Sequence, residues 1–384
     1  MKKVDVCIIG GGASGLVSAC VEKGKVTVIE KADRVGKKIL LTGNGRCNLS
    51  NVDLDQKYYS NPIFYQKVYQ KHKKALDLFM ESLNLFTRVD NAGRIYPYSN
   101  HASSVLDALR LKAEKNAEIV TSTLVQKIIP QKDGYQVVTD KEVYFAKKVI
   151  YSCGGGEFSP IKDICKTTQT TQKMLCPIET ETDKIRGLDG VRAFVKVRLL
   201  KNGKEIYTES GEVLFRQYGL SGVAIFNCSS FIARDIVKGE KANYSIEIDF
   251  LDGLNVSDVR KVIQNRAKEK EIEKLFVGLL QRKIGERILK NLAISPEKEL
   301  DDRDIESIIC ELTRFSLKVK KLKEEGAQVT SGGVVAGSLT ENLEVIGYKN
   351  LHIVGEAVDM DGVCGGYNLH WAFLSAIGAS KNEG

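Results

Sequence analysis

The sequence predicts an α/β protein: a three-layer, mostly parallel sheet of the Rossmann type, split in the sequence, with an inserted β-rich subdomain and an inserted helical subdomain. Three observations predict this class. The chain begins with a strand, a glycine-rich turn, a helix and a second strand, which is the building unit of parallel sheets. A buried strand and an apolar helix follow over residues 350–379. Between these two ends, alternating strand patterns give way to a charged helical stretch.

The first strand and helix carry a dinucleotide-binding pattern. Residues 4–9 (VDVCII) are typical of a strand buried on both faces, and Gly10-Gly11-Gly12-Ala13-Ser14-Gly15 follows. In this G-x-G-x-x-G, Gly10 permits the tight turn, Gly12 lets the backbone approach a pyrophosphate, and Gly15 lets helix pack on strand. The helix predicted over 16–23 would hold phosphates through free N–H groups at its start. A glycine turn without a ligand is the plain alternative.

An acidic residue closes the second strand (VTVIE, 26–30). Glu30 is positioned to accept hydrogen bonds from the adenosine ribose, and we expect Lys31 beside the same ligand. Only fourteen residues separate Gly15 from Glu30, whereas the fingerprint places the acid about 20 residues on. The first helix is therefore predicted to be nearly a turn short.

Residues 36–51, GKKILLTGNGRCNLSN, combine bare backbone with polar side chains. Gly43 and Gly45 can adopt positive φ and bring N–H groups near an anion. The cations in this loop are Lys37, Lys38 and Arg46, and the asparagines Asn44 and Asn48 can fix the turn or bind ligand oxygens. We interpret the loop, from Gly36 onward, as wrapping a doubly phosphorylated cofactor. Cys47 suggests a redox thiol, but no second cysteine is near in sequence, which favours a small buried packing residue.

A helix is predicted over 62–83 from apolar residues at helical spacing. Its other face carries Lys67, Lys71, Lys73 and Lys74, flanked by Tyr58, Tyr59, Tyr65 and Tyr69. Basic, aromatic-rich stretches bind nucleic acid in some proteins, whereas a solvated helix face is the commoner meaning of such a run.

Further strands are predicted over 118–128, 135–139 and 148–151, the last returning to the parallel sheet and ending in Gly154-Gly155-Gly156. From about residue 190, the stretches RAFVKVRLL, KEIYTESGEVLF and NYSIEIDF alternate as half-buried antiparallel strands do. From Ser257, a candidate N-cap, to Glu325 the chain is predicted helical, with another start at Ser295-Pro296-Glu297. We therefore divide the chain into a discontinuous domain (1–165 and 325–384), a β-rich insertion (166–255) and a helical insertion (256–324).

At the carboxyl-terminal end, NLHIV (350–354) is predicted to be a strand that runs into Gly355-Glu356. Residues 359–362 form a turn, and Gly365-Gly366-Tyr367-Asn368-Leu369 opens a final helix through about Ala379. A helix amino terminus stabilises negative charge close to its first turn. A surface turn that merely caps a terminal helix is the alternative.

These segments together resemble a known family. GKKILLTGNGRCN is similar to the hallmark loop of the FAD flavoproteins that include aminoacetone oxidase-like and bile-acid dehydro-reductase-like proteins. Further matches are AGRIYPYSNHASSVLDAL (92–109), GEVLFRQYGLSGVAIF (211–226), TSGGV (330–334) and GEAVDMDGVCGGYNLHWAF (355–373). The resemblance spans most of the chain and implies non-covalent FAD held by the discontinuous Rossmann-like domain.

The resemblance also implies site residues. It implies Val125 beside the adenine, Gly154 and Gly155 close to the cofactor, and Glu356 on the ribityl chain. It further implies that Gly355, Asp361, Gly366, Tyr367, Asn368 and Leu369 lie around the flavin. The chain departs from the family at Ser152-Cys153, at KDICKTTQTTQK, at Leu343–Ile346 and at Cys364, which unsettles the substrate pocket rather than FAD binding.

Composition excludes several other classes. With 43% hydrophobic and 28% charged residues, the 384-residue chain has the balance of a globular protein. The longest apolar runs fall short of the roughly 20 residues of a membrane span, and the start does not read as a signal peptide, so we expect a cytoplasmic protein. Nine cysteines without a C-x-x-C pair, and four histidines without ligand spacing, argue against disulfides and metal. The net charge of +8 decides nothing alone.

The sequence thus predicts an FAD oxidoreductase that moves a hydride or electron pair between a small organic substrate and a second partner, NAD(P)H or oxygen. Since one dinucleotide fingerprint is present, NAD(P)H is expected only as a transient co-substrate. Tyr218, Cys364, Tyr367 and His370 are candidate catalytic residues only because their motifs should surround the flavin. Two alternatives stay open: a tRNA-modifying flavoprotein, and a flavin-binding sensor without turnover. The substrate and the oligomeric state are not predicted.

Overall fold

A computed structural model describes residues 1–268, 274–295 and 297–380. The chain forms two compact units, Met1–Gln172 with Val329–Gly384 (unit 1) and Lys173–Gln328 (unit 2). None of the described helices is both long and apolar enough to cross a membrane.

The elements of the first part of the chain alternate as predicted. In order they are β1 (Lys2–Ile9), α1 (Ala13–Val21), β2 (Val26–Ile29), β3 (Ser50–Asn51), α2 (Pro62–Ser82), β4 (Thr87–Val89), β5 (Arg94–Pro97), α3 (Ala102–Ala113), β6 (Ala117–Val120), β7 (Val125–Gln131), β8 (Gly134–Thr139) and β9 (Val143–Tyr151).

The remaining elements include a second run of strands and helices. They are β10 (Gln172–Met174), β11 (Ile178–Thr180), β12 (Arg192–Lys201), β13 (Lys204–Arg216), β14 (Gly219–Ser221), α4 (Val223–Val237), β15 (Tyr244–Asp249), α5 (Val256–Lys268), α6 (Arg282–Asn291), α7 (Asp302–Thr313), β16 (Phe315–Leu322), β17 (Val329–Ser331), β18 (Leu351–Ile353) and α8 (Tyr367–Ser380).

The main sheet of unit 1 has the order β6-β2-β1-β9-β8-β7. Strands β6, β2, β1 and β9 are parallel neighbours. The buried β-branched runs of β1 and β2 suit a sheet covered on both faces. Strand β9 changes its pairing partner along its length. Its first half pairs antiparallel with β8, and its last residues pair parallel with β18, with Leu351 opposite Val149. The carboxyl-terminal segment therefore contributes a strand, β18, to the sheet that begins at the amino terminus. The predicted Rossmann-type class is confirmed.

Helices cover this sheet, and α1 packs against both α3 and α8. A buried ion pair lies among these elements: the Lys148 ammonium on β9 is 2.6 Å from the Glu22 carboxylate at the end of α1. The same ammonium donates to the Ala379 carbonyl in the last turn of α8 at 2.8 Å. Both charges are paired and hydrogen-bonded, which is the condition for burying them. A separate three-stranded sheet, β3-β5-β4, lies in the same unit.

Unit 2 is a closed six-stranded barrel, β11-β14-β13-β12-β15-β16, with helices packed on it. Helix α4 packs on β13, and α7 packs on β15 and β16. The sequence predicts a β-rich insertion and a separate helical insertion, whereas the structure joins both in this unit. The reason is physical: α7 buries Ile305, Ile308, Ile309 and Leu312, and its Leu312 carbonyl accepts a hydrogen bond from the Phe250 amide.

Several predicted boundaries change. Helix α1 begins at Ala13 and is nine residues long, which agrees with a short first helix. The stretch predicted helical to Glu325 contains β16, because Phe315 and Leu317 alternate toward the barrel core. Asn255, not Ser257, caps α5, since its side chain accepts from the Ser257 amide at 2.8 Å. Of the predicted helical stretch, 269–273 lie outside the described residues, as does Pro296 of the predicted start at 295–297.

Candidate functional site

The three glycines predicted to shape the turn after β1 have different surroundings. Gly10 has φ +100°, and a Cβ there would lie 2.6 Å from the Ser152 carbonyl oxygen on the neighbouring strand. A Cβ on Gly15 would collide with the Gly10 carbonyl. By contrast, a Cβ on Gly12 would meet nothing within 4 Å. Gly10 and Gly15 are thus required by packing, whereas Gly12 faces open space in front of α1.

Helix α1 starts at this open space without a side-chain cap. Its first bonded amide is that of Leu16, which donates to the Gly12 carbonyl at 2.9 Å. The amides of the first turn of a helix have no intrahelical acceptor, and with the helix dipole they make an anion site. The cradle beside Gly12, Ala13 and Ser14 therefore fits a diphosphate.

Glu30 lies half-buried at the end of β2, where backbone amides orient its carboxylate. One oxygen accepts from the Gly11 amide at 2.7 Å and the other from the Ala32 amide at 2.8 Å. Each carboxylate oxygen keeps a second lone pair, so the group can still accept from ribose hydroxyls. The Glu30 carbonyl accepts from the Thr123 amide at 3.0 Å, which brings the segment leading to the buried Val125 alongside. Lys31 is exposed.

Three distant parts of the chain meet at Glu356. Its carboxylate lies 3.2 Å from the Lys38 ammonium and accepts from the Thr330 amide at 2.7 Å. A Cβ on Gly154 would lie 3.5 Å from that ammonium, and a Cβ on Gly155 would lie 2.5 Å from the Thr330 Cβ. The loop, the end of β9 and the carboxyl-terminal segment thus converge.

A second convergence joins the two ends of the chain. Gly355 follows β18 closely, and a Cβ there would lie 2.5 Å from the Ser14 hydroxyl at the start of α1. The Gly355 carbonyl accepts from the Trp371 indole at 3.0 Å, which fixes it against α8. The space in front of α1 is therefore bordered by residues more than 300 positions apart.

The loop over 36–48 is tied to this cradle. The Gly36 amide donates to the Gly11 carbonyl at 2.8 Å, and Lys37 forms an ion pair with Asp33. Gly43, Asn44 and Gly45 all have positive φ. Cys47 is fully buried, and burial raises its pKa to about 11. A thiol that stays protonated is a poor nucleophile, which supports the packing interpretation over the redox one.

Strand β3 holds the start of α8. The Asn48 carboxamide bonds the Gly366 amide at 3.0 Å and the Ser50 carbonyl at 3.1 Å, and the Asn51 side chain donates to the Gly365 carbonyl at 3.1 Å. Gly366, with φ +100°, lies so close to the Ser50 carbonyl that a side chain would not fit. The predicted GGYN turn and the predicted GRCN loop therefore form one structure.

Two polar residues of this turn have internal partners. Asn368 bonds both the amide and the carbonyl of Gly362 at 2.8 Å, and thereby closes the turn. Asp361 is 1% exposed and accepts from the Ser331 hydroxyl at 2.7 Å. Leu369 is half-buried. These side chains shape the backbone around the α8 amino terminus.

The candidate catalytic residues are divided between the two units. Tyr367 begins α8, with its ring stacked on Tyr58 at 4.7 Å, and burial raises its pKa. Its hydroxyl is therefore a phenol at neutral pH. Cys364 is half-buried in the preceding turn. Tyr218 belongs to unit 2, where the Lys323 ammonium lies 4.9 Å from its ring centre.

His370 is buried one turn into α8. Its Nδ1 pairs with the Ser50 hydroxyl at 3.0 Å, and its ring lies near Tyr65 and Tyr69 of α2. Burial lowers its pKa to about 4. Its Nε2 is buried and meets no hydrogen-bonding partner in the part of the chain that the structure describes. The bond to Ser50 makes His370 a link between β3 and α8.

The tyrosines near the lysine-rich helix are mostly internal. Tyr59 and Tyr65 are buried and stack on each other at 3.8 Å, while Lys67, Lys71, Lys73 and Lys74 are exposed. Buried rings cannot stack on bases, so this arrangement supports a solvated helix face.

Sequence reasoning missed Gly11, Ser152, Thr330 and Ser331 as parts of the site. Thr330 and Ser331 belong to the TSGGV stretch, whose residues carry no pattern that assigns them a role. Ser152 holds the turn by donating to the Ile9 and Gly10 carbonyls at 2.8 and 2.9 Å. No sequence signal separates it from other serines after strands.

The fold and this cradle define a class: a Rossmann-type FAD-dependent oxidoreductase. The chain matches, over residues 4–382, the family model described as HI0933-like protein Rossmann domain, and it belongs to that family. The resemblance identified from the loop and turn motifs is thereby confirmed.

Curated relatives align along the whole chain. It is 30% identical over 401 aligned residues to the 3-dehydro-bile acid delta(4,6)-reductase of Clostridium scindens, covering 97% of each chain. It is 26% identical to the ribosomal RNA dihydrouridine synthase of Escherichia coli, covering 100% of this chain and 98% of that one. A solved flavocytochrome c3 fumarate reductase is 12% identical, covering 99% of this chain and 78% of its own, with a TM-score of 0.46.

Proposed function

We propose that this protein holds FAD non-covalently in unit 1 and reduces a carbon–carbon double bond conjugated to a carbonyl group in a small organic substrate, with NAD(P)H as the electron donor. The observation that carries the cofactor half of this proposal is the cradle in front of α1. There a glycine with open space, an uncapped helix start and residues from both ends of the chain border one region.

Each part of the cradle suits one part of FAD. The α1 amides would hold the diphosphate, Glu30 the adenosine ribose and Val125 the adenine. Lys38 and Glu356 border the middle of the site, where a ribityl chain offers hydroxyls to a carboxylate. The start of α8 would lie at the ring, where its dipole stabilises negative charge. When bound, FAD supplies the capacity to accept a hydride from one partner and give it to another.

The names of the relatives support the type of reaction. A delta(4,6)-reductase acting on a 3-dehydro bile acid and a dihydrouridine synthase both reduce a carbon–carbon double bond that is conjugated to a carbonyl. Hydride addition to such a bond places negative charge on the carbonyl oxygen, and the chain must then supply a hydrogen-bond donor and a proton. Tyr367, which remains protonated, is the candidate at the start of α8.

Spectroscopy and anaerobic mixing test this proposal. The purified protein should show flavin absorbance, or acquire it with added FAD, and acid precipitation should release the flavin intact. NADH or NADPH should bleach the flavin, and a 3-oxo-Δ4,6 steroid should restore its colour without oxygen. A folded protein that acquires no flavin would end the proposal. If NADH or NADPH bleaches the flavin but no conjugated carbonyl compound reoxidises it, the protein is a flavoprotein that catalyses another reaction. If neither nucleotide bleaches the flavin, the result favours the flavin-binding sensor without turnover.

A second candidate is reduction of uridine in RNA. The specific observation in its favour is the full-length similarity to a ribosomal RNA dihydrouridine synthase, together with a net charge of +8. The buried tyrosines of α2 do not add to it. RNA that binds tightly, with an affinity falling steeply as salt rises, and that reoxidises the reduced flavin would favour this candidate over the small substrate.

A further inference from the structure

One face of the small sheet of unit 1 is both basic and aromatic. We call it the basic aromatic face and define it by Arg46, Phe86, Arg88, Tyr96 and Tyr98. Arg88 lies directly opposite Tyr96 in the β4–β5 pairing. The Tyr98 amide donates to the Phe86 carbonyl at 2.7 Å, which continues the same register by two residues. Residues opposite each other, and residues two apart on one strand, share a face.

Each arginine of this face is stacked on a tyrosine. The Arg46 guanidinium lies 4.8 Å from the Tyr96 ring centre and donates to the Gly43 carbonyl. The Arg88 guanidinium lies 4.5 Å from the Tyr98 ring centre and donates to the Tyr98 carbonyl. Stacking on a ring holds a guanidinium in place while its remaining N–H groups stay available.

Neither arginine is neutralised. Within the described ranges, no carboxylate lies at ion-pair distance from Arg46 or Arg88. The acid nearest in sequence, Asp90, is already paired with Arg94 at 2.8 Å. Two positive charges without a counter-charge thus belong to one face, which is a favourable setting for an anion.

The face also exposes aromatic surface. Phe86 is 84% exposed and Tyr98 is 64% exposed. Large exposed rings next to unpaired arginines suit a ligand that has both a flat base and a phosphate. A single-stranded nucleic acid needs a basic groove that follows several phosphates, whereas this face offers two guanidinium groups. Its size therefore favours one phosphorylated nucleoside.

The face continues the cofactor site. Arg46 belongs to the loop that contains Lys38, which meets Glu356, and Asn48, which bonds the Gly366 amide at the start of α8. A nucleotide held at Arg46 would thus lie beside the region proposed for the flavin ring. A nicotinamide dinucleotide could place its adenosine here while its other end reaches that region.

We propose that the basic aromatic face binds the 2′-phosphorylated adenosine of NADPH, with Arg88 and Arg46 on the phosphate and Phe86 or Tyr98 on the adenine, and thereby selects NADPH over NADH. This inference rests on the proposed function for the role of NADPH as donor. It adds the binding site, the preferred nucleotide and the residues that distinguish NADPH from NADH.

Binding of a nucleotide fragment tests the face separately from electron transfer. We would titrate adenosine 2′,5′-bisphosphate and 5′-ADP by calorimetry into protein loaded with FAD, because the proposed diphosphate and ribose site in front of α1 would otherwise take up 5′-ADP. The bisphosphate should bind more tightly. Arg88→Gln should weaken it roughly 10- to 100-fold, the range for lost hydrogen bonds to a charged group, and Phe86→Ala roughly fivefold or more. Arg110→Gln is the matched control, because that exposed arginine on α3 is paired with Glu114 and should change nothing.

Reduction of the bound flavin provides the second arm. NADPH should reduce the flavin at a lower half-saturating concentration than NADH, and Arg88→Gln should remove that difference while leaving the limiting rate unchanged. Melting temperatures would show that the exposed substitutions leave the fold intact. Equal binding of bisphosphate and 5′-ADP, or wild-type behaviour of both variants, would overturn the inference.

Two further outcomes separate this inference from its alternatives. If a 12-residue oligouridine binds through Arg88 while the bisphosphate does not, the occupant is RNA and the inference fails. If the protein never acquires flavin but binds the bisphosphate through Arg88, the proposed function fails while the nucleotide site stands.

Discussion

At the scale of single residues, the structure separates glycines that packing requires from Gly12, for which we propose a role in FAD binding. Gly10 and Gly15 leave no room for a side chain, whereas a Cβ on Gly12 would meet nothing, and Gly12 has φ −79°, which any residue can adopt. Function and folding therefore place different demands on one six-residue motif, and substitution can distinguish them.

Gly12→Ala should weaken FAD binding at least tenfold, which corresponds to about 1.4 kcal/mol, and leave the melting temperature of the FAD-free protein unchanged. The added methyl group enters only the open space where the diphosphate is proposed. Gly15→Ala is the contrast, because its methyl group collides with the Gly10 carbonyl and should destabilise the fold by about 1–3 kcal/mol. Calorimetric titration with FAD and thermal unfolding measure both. Unchanged FAD affinity in Gly12→Ala would contradict the proposed diphosphate site.

The buried Lys148–Glu22 pair should be worth far more than an exposed one. Glu22→Gln leaves an unpaired buried ammonium, and we expect a loss of about 3–5 kcal/mol in the free energy of unfolding. Lys147→Met, which removes the neighbouring exposed pair with Asp5, should cost about 1 kcal/mol or less. Urea unfolding measures both. Similar losses for the two variants would show that burial does not determine the strength of the first pair.

Buried histidines make unfolding sensitive to mild acid. Burial lowers the pKa of His370 to about 4, and burial with the nearby Lys148 charge lowers that of His352 to about 4. Between about pH 6.5 and pH 4 the unfolded chain therefore binds more protons than the folded chain. The stabilisation is complete above pH 6.5 and is lost as the pH falls through this window, at up to about 1.36 kcal/mol per pH unit for each histidine. His352→Gln and His370→Gln should each flatten the slope of unfolding free energy against pH; an unchanged slope would rule out this origin.

At the scale of elements, local patterns predict the type of an element better than they predict its pairing. The strand–glycine–helix unit, the helix α2 and the strands β12, β13 and β15 follow from periodicity and turn residues within a short window. Strand β16 also alternates, but its three lysines and its charged neighbours favour a helical prediction. The two-residue β3 has no periodicity to detect, because its identity comes only from pairing with β5.

The cap of α5 illustrates the same limit. Ser257 and Asn255 are both good capping residues, and only the coordinates show that the Asn255 side chain bonds the Ser257 amide. Asn255→Ala should therefore lower the free energy of unfolding by about 1 kcal/mol, while Ser257→Ala should change it by less. Denaturant unfolding of the two variants measures both changes. A larger loss in Ser257→Ala than in Asn255→Ala would identify Ser257 as the cap.

At the scale of the whole molecule, the site depends on contacts that no local pattern contains. The glycine motif and the loop follow from spacing and resemblance, but the meeting of Lys38 with Glu356, and of Ser14 with Gly355, requires the sheet to bring the two chain ends together. Thr330 enters the site for the same reason.

Hydrogen exchange with and without FAD should reveal this arrangement. We expect the largest FAD-dependent protection over residues 9–16, 30–48 and 354–369, because these segments border the cradle in unit 1. Addition of FAD at about 100 times its dissociation constant should also stabilise the protein by about 2.7 kcal/mol. AMP serves as the control ligand, since it lacks the flavin end. Protection concentrated in residues 173–328 would place the cofactor elsewhere.

The change of pairing partner along β9 has a consequence for synthesis on the ribosome. The last residues of β9 pair with β18, and α1 packs on α8, yet the whole of unit 2 is translated before β18 and α8. At about 5–20 residues per second, the nascent amino-terminal sheet waits on the order of 10 s with an unpaired edge and an uncovered helix. The emerging chain is thus most in need of chaperone protection before its last strand appears, and unit 2, being continuous, is free to fold during that delay.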